Sequence, residues 1–201
     1  MELFDNIREY RVILGSGSPR RKELLAMLDI DFEVRSAGDV DESYPADLPA
    51  EEVPLYLARK KSNAFLSGLR ENELVITADT VVICDNNVLG KPADTEEAFR
   101  MLKMLSGRKH AVVTGITVAT REIQISDTAI TEVEFAPLSD DTIREYIGRY
   151  RPMDKAGAYG IQEWIGAVAV KGINGSFYNV MGLPLHLLTT LLLRIPVREH
   201  Q

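Results

Sequence analysis

The 201-residue sequence contains one cysteine, Cys84, so no disulfide can form within the chain. Packing and hydrogen bonds have to hold the fold, and a reducing, cytoplasmic location is the expectation. Uninterrupted apolar runs long enough to span a bilayer are missing, which excludes a membrane-spanning helix. The nearest candidate, "LPLHLLTTLLLRIPV", is broken by His186, Thr189, Thr190 and Arg194 and reads as a buried C-terminal helix. The opening "MELFDNIREYRV" carries charges throughout and lacks the apolar centre of a signal peptide. An excess of basic residues is also absent. The 23 Lys and Arg stand against 30 Asp and Glu, and the net charge of −7 argues against a nucleic-acid-binding face. His110, His186 and His200 are scattered without metal-ligand spacing. Neither a Walker A loop nor a G-x-S-x-G elbow occurs, so P-loop and serine-hydrolase chemistry have no support. With no internal repeat and no Pro/Ser-rich linker, residues 1–201 read as a single domain.

What is present has α/β order. "YRVILG" reads as a short strand, followed by a helix with Ser18 as N-cap and Pro19 in its first turn. "FEVRSAG" alternates like a strand, and "DVDESYPADLP" is an acidic loop. A long helix is expected over about 50–69, with Leu55, Ala58, Phe65 and Leu69 on its apolar face. "LVITA" is the continuous apolar run of a strand buried on both faces, and it delivers Asp79 and Thr80 to its end. "DNN" (85–87) suits a hairpin turn. Asp94 and Glu97 form a capping-box pattern, and Gly107 marks that helix's end. Strand-forming residues dominate 109–137. A capped helix, "SDDTIREYIGRY", comes next, then a Gly-rich loop and a strand around 167–170. An elongated mixed sheet flanked by helices, in two lobes around a cleft, accommodates this order.

The residues suited to chemistry fall at the ends of these elements. Arg20, Arg21 and Lys22 occupy a helix's first turn, where the dipole and free N–H groups already repel cations. The arrangement makes sense as an anion site, with Ser16 and Ser18 adding hydroxyls and Gly15 and Gly17 allowing close approach. Asp79 at a strand end suits a general base or a metal ligand. Glu42 lies in the acidic loop, and two acids converging on phosphates favour a hard cation such as Mg²⁺ or Mn²⁺. Lys61 in "ARKKS" reads by itself as a surface lysine. Lys91, between glycine and proline in "LGKP", suits a phosphate contact. "DKAGAYGIQ" supplies Asp154, Lys155 and Gln162, whose amide can read a base edge.

These segments, in this order, resemble the Maf family of nucleoside triphosphate pyrophosphatases: "GSGSPRRKELL", "VDE", "ARKKS", "ITADTVV", "LGKP", "MLKMLSGRKHAVVTG", "DKAGAYGIQ" and "NGSFYNVMGLP". The resemblance implies a fold similar to the inosine triphosphate pyrophosphatases. It implies hydrolysis between the α- and β-phosphates and a homodimer without nucleic-acid or membrane partners. It also implies Asp79 as proton acceptor, Glu42 as the acid associated with a divalent metal, and Lys61 and Lys91 as catalytic lysines. Arg20, Thr80 and Gln162 would select the nucleotide. "AGAYGIQ" looks like the branch acting on dTTP and UTP. A 7-methyl-GTP pyrophosphatase, or a nucleotide-binding cell-division regulator without turnover, is the alternative. Two departures from the family's pattern stand out. Gly15 replaces an alanine, a change expected to be neutral, and Glu163 and Trp164 stand where many members have glycine and an aliphatic residue.

Overall fold

The computed structural model describes residues 3–198. Seven strands among them form one mixed sheet: β1 (Arg11–Leu14), β2 (Phe32–Val34), β3 (Glu73–Cys84), β4 (Asn87–Leu89), β5 (Lys109–Ala119), β6 (Gln124–Phe135) and β7 (Val170–Asn174). Their order is β2-β1-β3-β5-β6-β7, with β4 paired to β3. β1 runs parallel to both β2 and β3, whereas β3–β4 and β6–β7 are antiparallel. The helices are α1 (Pro19–Ala26), α2 (Val53–Leu66), α3 (Thr95–Leu105), α4 (Asp140–Tyr150), α5 (Trp164–Ala169), α6 (Phe177–Met181) and α7 (Leu185–Leu192). Among the described residues no helix is long and apolar enough to cross a membrane. His200 lies outside the described residues.

The chain divides into two compact units. One comprises the chain up to Asp79, Thr114–Ala129 and the chain from Gly182. The other comprises Thr80–Val113 and Ile130–Met181. In the first unit, Ile13, Phe65, Leu69, Val75 and Ala119 form a buried cluster. Gly15 follows β1 directly beneath this packing. A methyl group there would lie 2.7 Å from Phe65 Cε2 and 2.9 Å from Thr77 Cγ2, so alanine is not a neutral replacement in this chain. Gly115 on β5 is more constrained, because its absent Cβ would fall 2.4 Å from the backbone of Leu55. The start of α2 crosses β5 at that glycine, with Pro54 buried in the helix's first turn, where a missing N–H costs nothing.

The second unit has a larger core, in which Val82, Leu102, Leu105, Val133, Phe135, Ile143 and Tyr146 are buried together. Its turns follow local chemistry. Asp85 and Asn86 both take positive φ between β3 and β4, as a two-residue hairpin requires. Asp94 Oδ1 accepts the Glu97 N–H at 2.8 Å, and Glu97 Oε2 accepts the Ala93 N–H at 2.7 Å, closing the predicted box one residue early. Gly107 ends the connection after α3 at φ 70°.

Three local expectations change. Ser18 occupies the N-cap position of α1, but its side chain makes no capping bond; Ser16 Oγ instead accepts the Ser18 N–H at 3.3 Å. The helix expected over 50–69 is a 3₁₀ turn at Ala50–Glu52 followed by α2, which stops at Leu66. The strand expected around 167–170 is helix α5 as far as Ala169, and β7 begins only at Val170. Ile165 and Ala169 are buried while Ala167 between them is exposed, which a helical turn produces and strand alternation, burying all three, does not. Gly166 permits that turn: a Cβ there would overlap the Ile161 carbonyl.

His110 on β5 is buried, with edge-on contacts to Phe135 and Tyr159 and Nε2 2.8 Å from the Tyr159 hydroxyl. Burial pulls its pKa from 6.5 down to about 4. The unfolded chain therefore takes up this proton first, and stability falls as pH drops from about 6.5 to about 4. The loss is on the order of 3 kcal/mol. Urea unfolding of wild type and His110→Gln at pH 7 and pH 4.5 should show a smaller acid loss in the variant; equal losses would refute the assignment. Gly115→Ala should destabilise the protein by about 2 kcal/mol or more, through overpacking against the α2 backbone. An unchanged urea midpoint would contradict that close approach.

Candidate active site

β3 ends its passage through the first unit at Asp79. The strand is buried on both faces, so a carboxylate there needs a partner. Lys61 supplies it from α2, with Nζ 2.5 Å from Asp79 Oδ1. The same ammonium lies 3.0 Å from Glu42 Oε1. One lysine thus gathers two acids from distant parts of the chain. Asp79 and Lys61 are largely enclosed, and the Glu42 side chain is 57% exposed. Lys61 is therefore not the surface lysine its local sequence suggests.

Glu42 lies in a segment without regular secondary structure, yet the acidic loop is fastened on both sides of it. Lys60 Nζ donates to Asp41 Oδ2 at 2.8 Å and to the Ser43 carbonyl at 3.0 Å. Ser43 in turn donates its N–H and hydroxyl to the Asp41 carboxylate. These bonds hold the Asp41 carboxyl well below the usual carboxylate range. Adjacent lysines on α2 therefore divide the loop, Lys60 taking Asp41 and Ser43 and Lys61 taking Glu42. The doubled lysine opposite "DVDES" is the signal that reading these residues singly misses.

Arg21 completes this group. Its Nε donates to the Gly182 carbonyl at 2.8 Å, and Nη1 lies 3.4 Å from Ser16 Oγ. Desolvation lowers its pKa and neighbouring Arg20 pushes the same way, while Asp79 and Glu42 oppose them. A guanidinium stays charged through such shifts, so Arg21 remains a fixed cation facing the two acids. The first unit thereby unites Ser16, Arg20, Arg21, Glu42, Lys61 and Asp79. Ser18 stays half-buried beside Ser16 at the start of α1.

The remaining predicted residues belong to the second unit. Thr80 follows Asp79 on β3 and is half-buried. Lys91 is exposed in "LGKP", which one backbone bond, Gly157 N–H to the Gly90 carbonyl at 3.0 Å, ties to "DKAGAYGIQ". Gly157 sits there at φ 66°, against Val82. Lys155 is buried, with Nζ 2.8 Å from Asp154 Oδ1 and 3.0 Å from Glu163 Oε1. Gln162 is exposed. Glu163 and Tyr146, which joins it, carry no local sequence signal as site residues.

Among the described residues no group of three or more His, Cys, Asp or Glu is arranged to hold a metal. Glu42 and Asp79 offer two carboxylates beside Lys61. That set fits a hard divalent cation of the Mg²⁺ kind, which takes one or two carboxylates and completes its shell with water and phosphate.

The chain is similar to known proteins along most of its length. Residues 11–195 match the family described as Maf-like protein. A dTTP/UTP pyrophosphatase of Porphyromonas gingivalis is 56% identical over 188 residues, covering 92% of this chain and 94% of its own. A dTTP/UTP pyrophosphatase of Bacteroides thetaiotaomicron is 54% identical, covering 91% and 95%, and one of Phocaeicola vulgatus is 50% identical, covering 96% and 100%. Among solved structures, a HAM1 protein from Coxiella burnetii is similar with a TM-score of 0.45 and 16% identity, covering 91% of this chain and 98% of that one. With the family matched over nearly its whole length and relatives more than half identical, the chain belongs to the Maf-like protein family.

Proposed function

We propose that this protein is a nucleoside triphosphate pyrophosphatase acting on dTTP and UTP. It would yield the nucleoside monophosphate and pyrophosphate. The observation that carries the reading is the enclosed Asp79 carboxylate, held at one oxygen by Lys61, with Glu42 on the same ammonium. The names of the relatives support the substrate class.

Asp79 accepts a proton from water as the water oxygen attacks the α-phosphorus. The bond from that phosphorus to the bridging oxygen breaks, and pyrophosphate leaves with the bond's electron pair. Lys61 orients the Asp79 carboxylate through its 2.5 Å contact. Arg20, Arg21, Lys61 and Lys91 balance triphosphate charge, with Ser16 and Ser18 as hydroxyl donors. Asp154 and Lys155 belong to the nucleotide-binding loop, where Gln162 and Thr80 select base or sugar. Glu42 would help hold a divalent cation, which would supply neutralisation of charge developing on the phosphate oxygens. A homodimer in the cytoplasm belongs to the same proposal.

Asp79→Asn should lower pyrophosphate release from UTP by about a thousandfold, the span of a general base, while UTP affinity by calorimetry stays within a few-fold. Near-normal turnover would remove Asp79 as the base. Exhaustive chelation should stop release from UTP, and added Mg²⁺ or Mn²⁺ should restore it. Full activity in chelator would remove the metal from the scheme.

A further inference from the structure

The backbone at Glu163 is extended, with φ −92° and ψ 179°. An extended residue sends its side chain to the side opposite its neighbour's. Gln162 is exposed, and Glu163 turns inward to two partners. Its Oε2 accepts the Tyr146 hydroxyl proton at 2.5 Å, and its Oε1 lies 3.0 Å from Lys155 Nζ. Tyr146 is fully buried, and its hydroxyl accepts the Gly160 N–H at 3.2 Å. Desolvation and the Glu163 charge push the tyrosine pKa up, so its hydroxyl stays a donor. At Gly160 an added Cβ would sit 3.0 Å from both Glu163 Cδ and Lys155 Cε, so glycine lets this ion pair close. The next residue is held by its ring: Trp164 stacks on Tyr146 and on Tyr150, with interplanar angles of 18° and 14°.

A glutamine amide offers donors at one end and an acceptor at the other, and rotation exchanges them. A freely turning Gln162 would therefore serve a base edge presenting a carbonyl as readily as one presenting an amino group. Discrimination requires the amide to meet one defined position of the base, and a fixed backbone at residue 162 narrows where the amide can arrive. We propose that Glu163 is a specificity-determining positioning residue, which holds Gln162 in register for pyrimidines with a carbonyl rather than an amino group at C4 by anchoring to Tyr146 and Lys155. The proposal rests on the nucleotide pyrophosphatase reading above.

The test compares kcat and KM for UTP and CTP in wild type, Glu163→Ala, Glu163→Gln and Tyr146→Phe, with melting temperatures alongside. Wild type should prefer UTP. Glu163→Ala should reduce the UTP/CTP ratio of kcat/KM by about tenfold, in the range one lost recognition element commands, mainly through KM for UTP. Tyr146→Phe removes one anchor and should shift the ratio in the same direction. Glu163→Gln keeps an acceptor for Tyr146 and should retain most of the ratio. Equal losses on both nucleotides, an unchanged ratio in a folded Glu163→Ala, or a wild type indifferent between UTP and CTP would each overturn the proposal. If Glu163→Ala does not fold, the ratios of Tyr146→Phe and Glu163→Gln decide. A wild type that releases no pyrophosphate would refute the activity itself, and calorimetric affinities for UTP and CTP would then read the same ratio.

Discussion

A carboxylate on a strand enclosed on both faces is stable only when something answers its charge, and in this protein Lys61 answers Asp79. The rest of the first unit's polar architecture follows from that pair. The ammonium comes from α2, so α2 has to lie close to the sheet, and Gly115 lets its backbone cross β5. The same ammonium draws in Glu42, and Lys60 beside it fastens the loop that carries Glu42. Arg21 is tied to Gly182 and Ser16 and faces the two acids as a cation that burial does not neutralise.

The second unit repeats the device with different parts. Lys155 lies between Asp154 and Glu163, and the buried Tyr146 hydroxyl fixes the far oxygen of Glu163. Enclosed charge again specifies geometry, because removing either partner would leave the other desolvated and unmatched. Glycines make the arrangement compact. Gly157 meets the Gly90 carbonyl and Gly160 lies under the ion pair, so two loops far apart in sequence present their polar residues from one framework.

Much of the fold was legible from local signals. The capped starts of α3 and α4, the two-residue turn before β4 and the doubly buried β3 arise from side chains a few residues apart, so short windows contain their causes. The misjudged elements had their causes elsewhere. "IGAVAV" carries small and β-branched residues that suit strand or helix, and the second unit's core, which buries Ile165 and Ala169 but not Ala167, decides for helix. Gly15 looked exchangeable with alanine because Phe65, which crowds it, lies fifty residues away.

The candidate site divides along the same line. By itself the sequence determined that cations stand at the start of α1, that an acid ends an apolar strand, and that polar residues occupy the glycine-rich loop, because residue type and local spacing suffice for each. Only the tertiary structure decided that Lys61 serves Asp79 and Glu42 together, that Lys60 secures the loop, and that Glu163 belongs to Tyr146 and Lys155. The reason is physical: an ion pair is defined by distance in space, and a charged side chain near its own backbone carries no record of the partner that folding will bring to it.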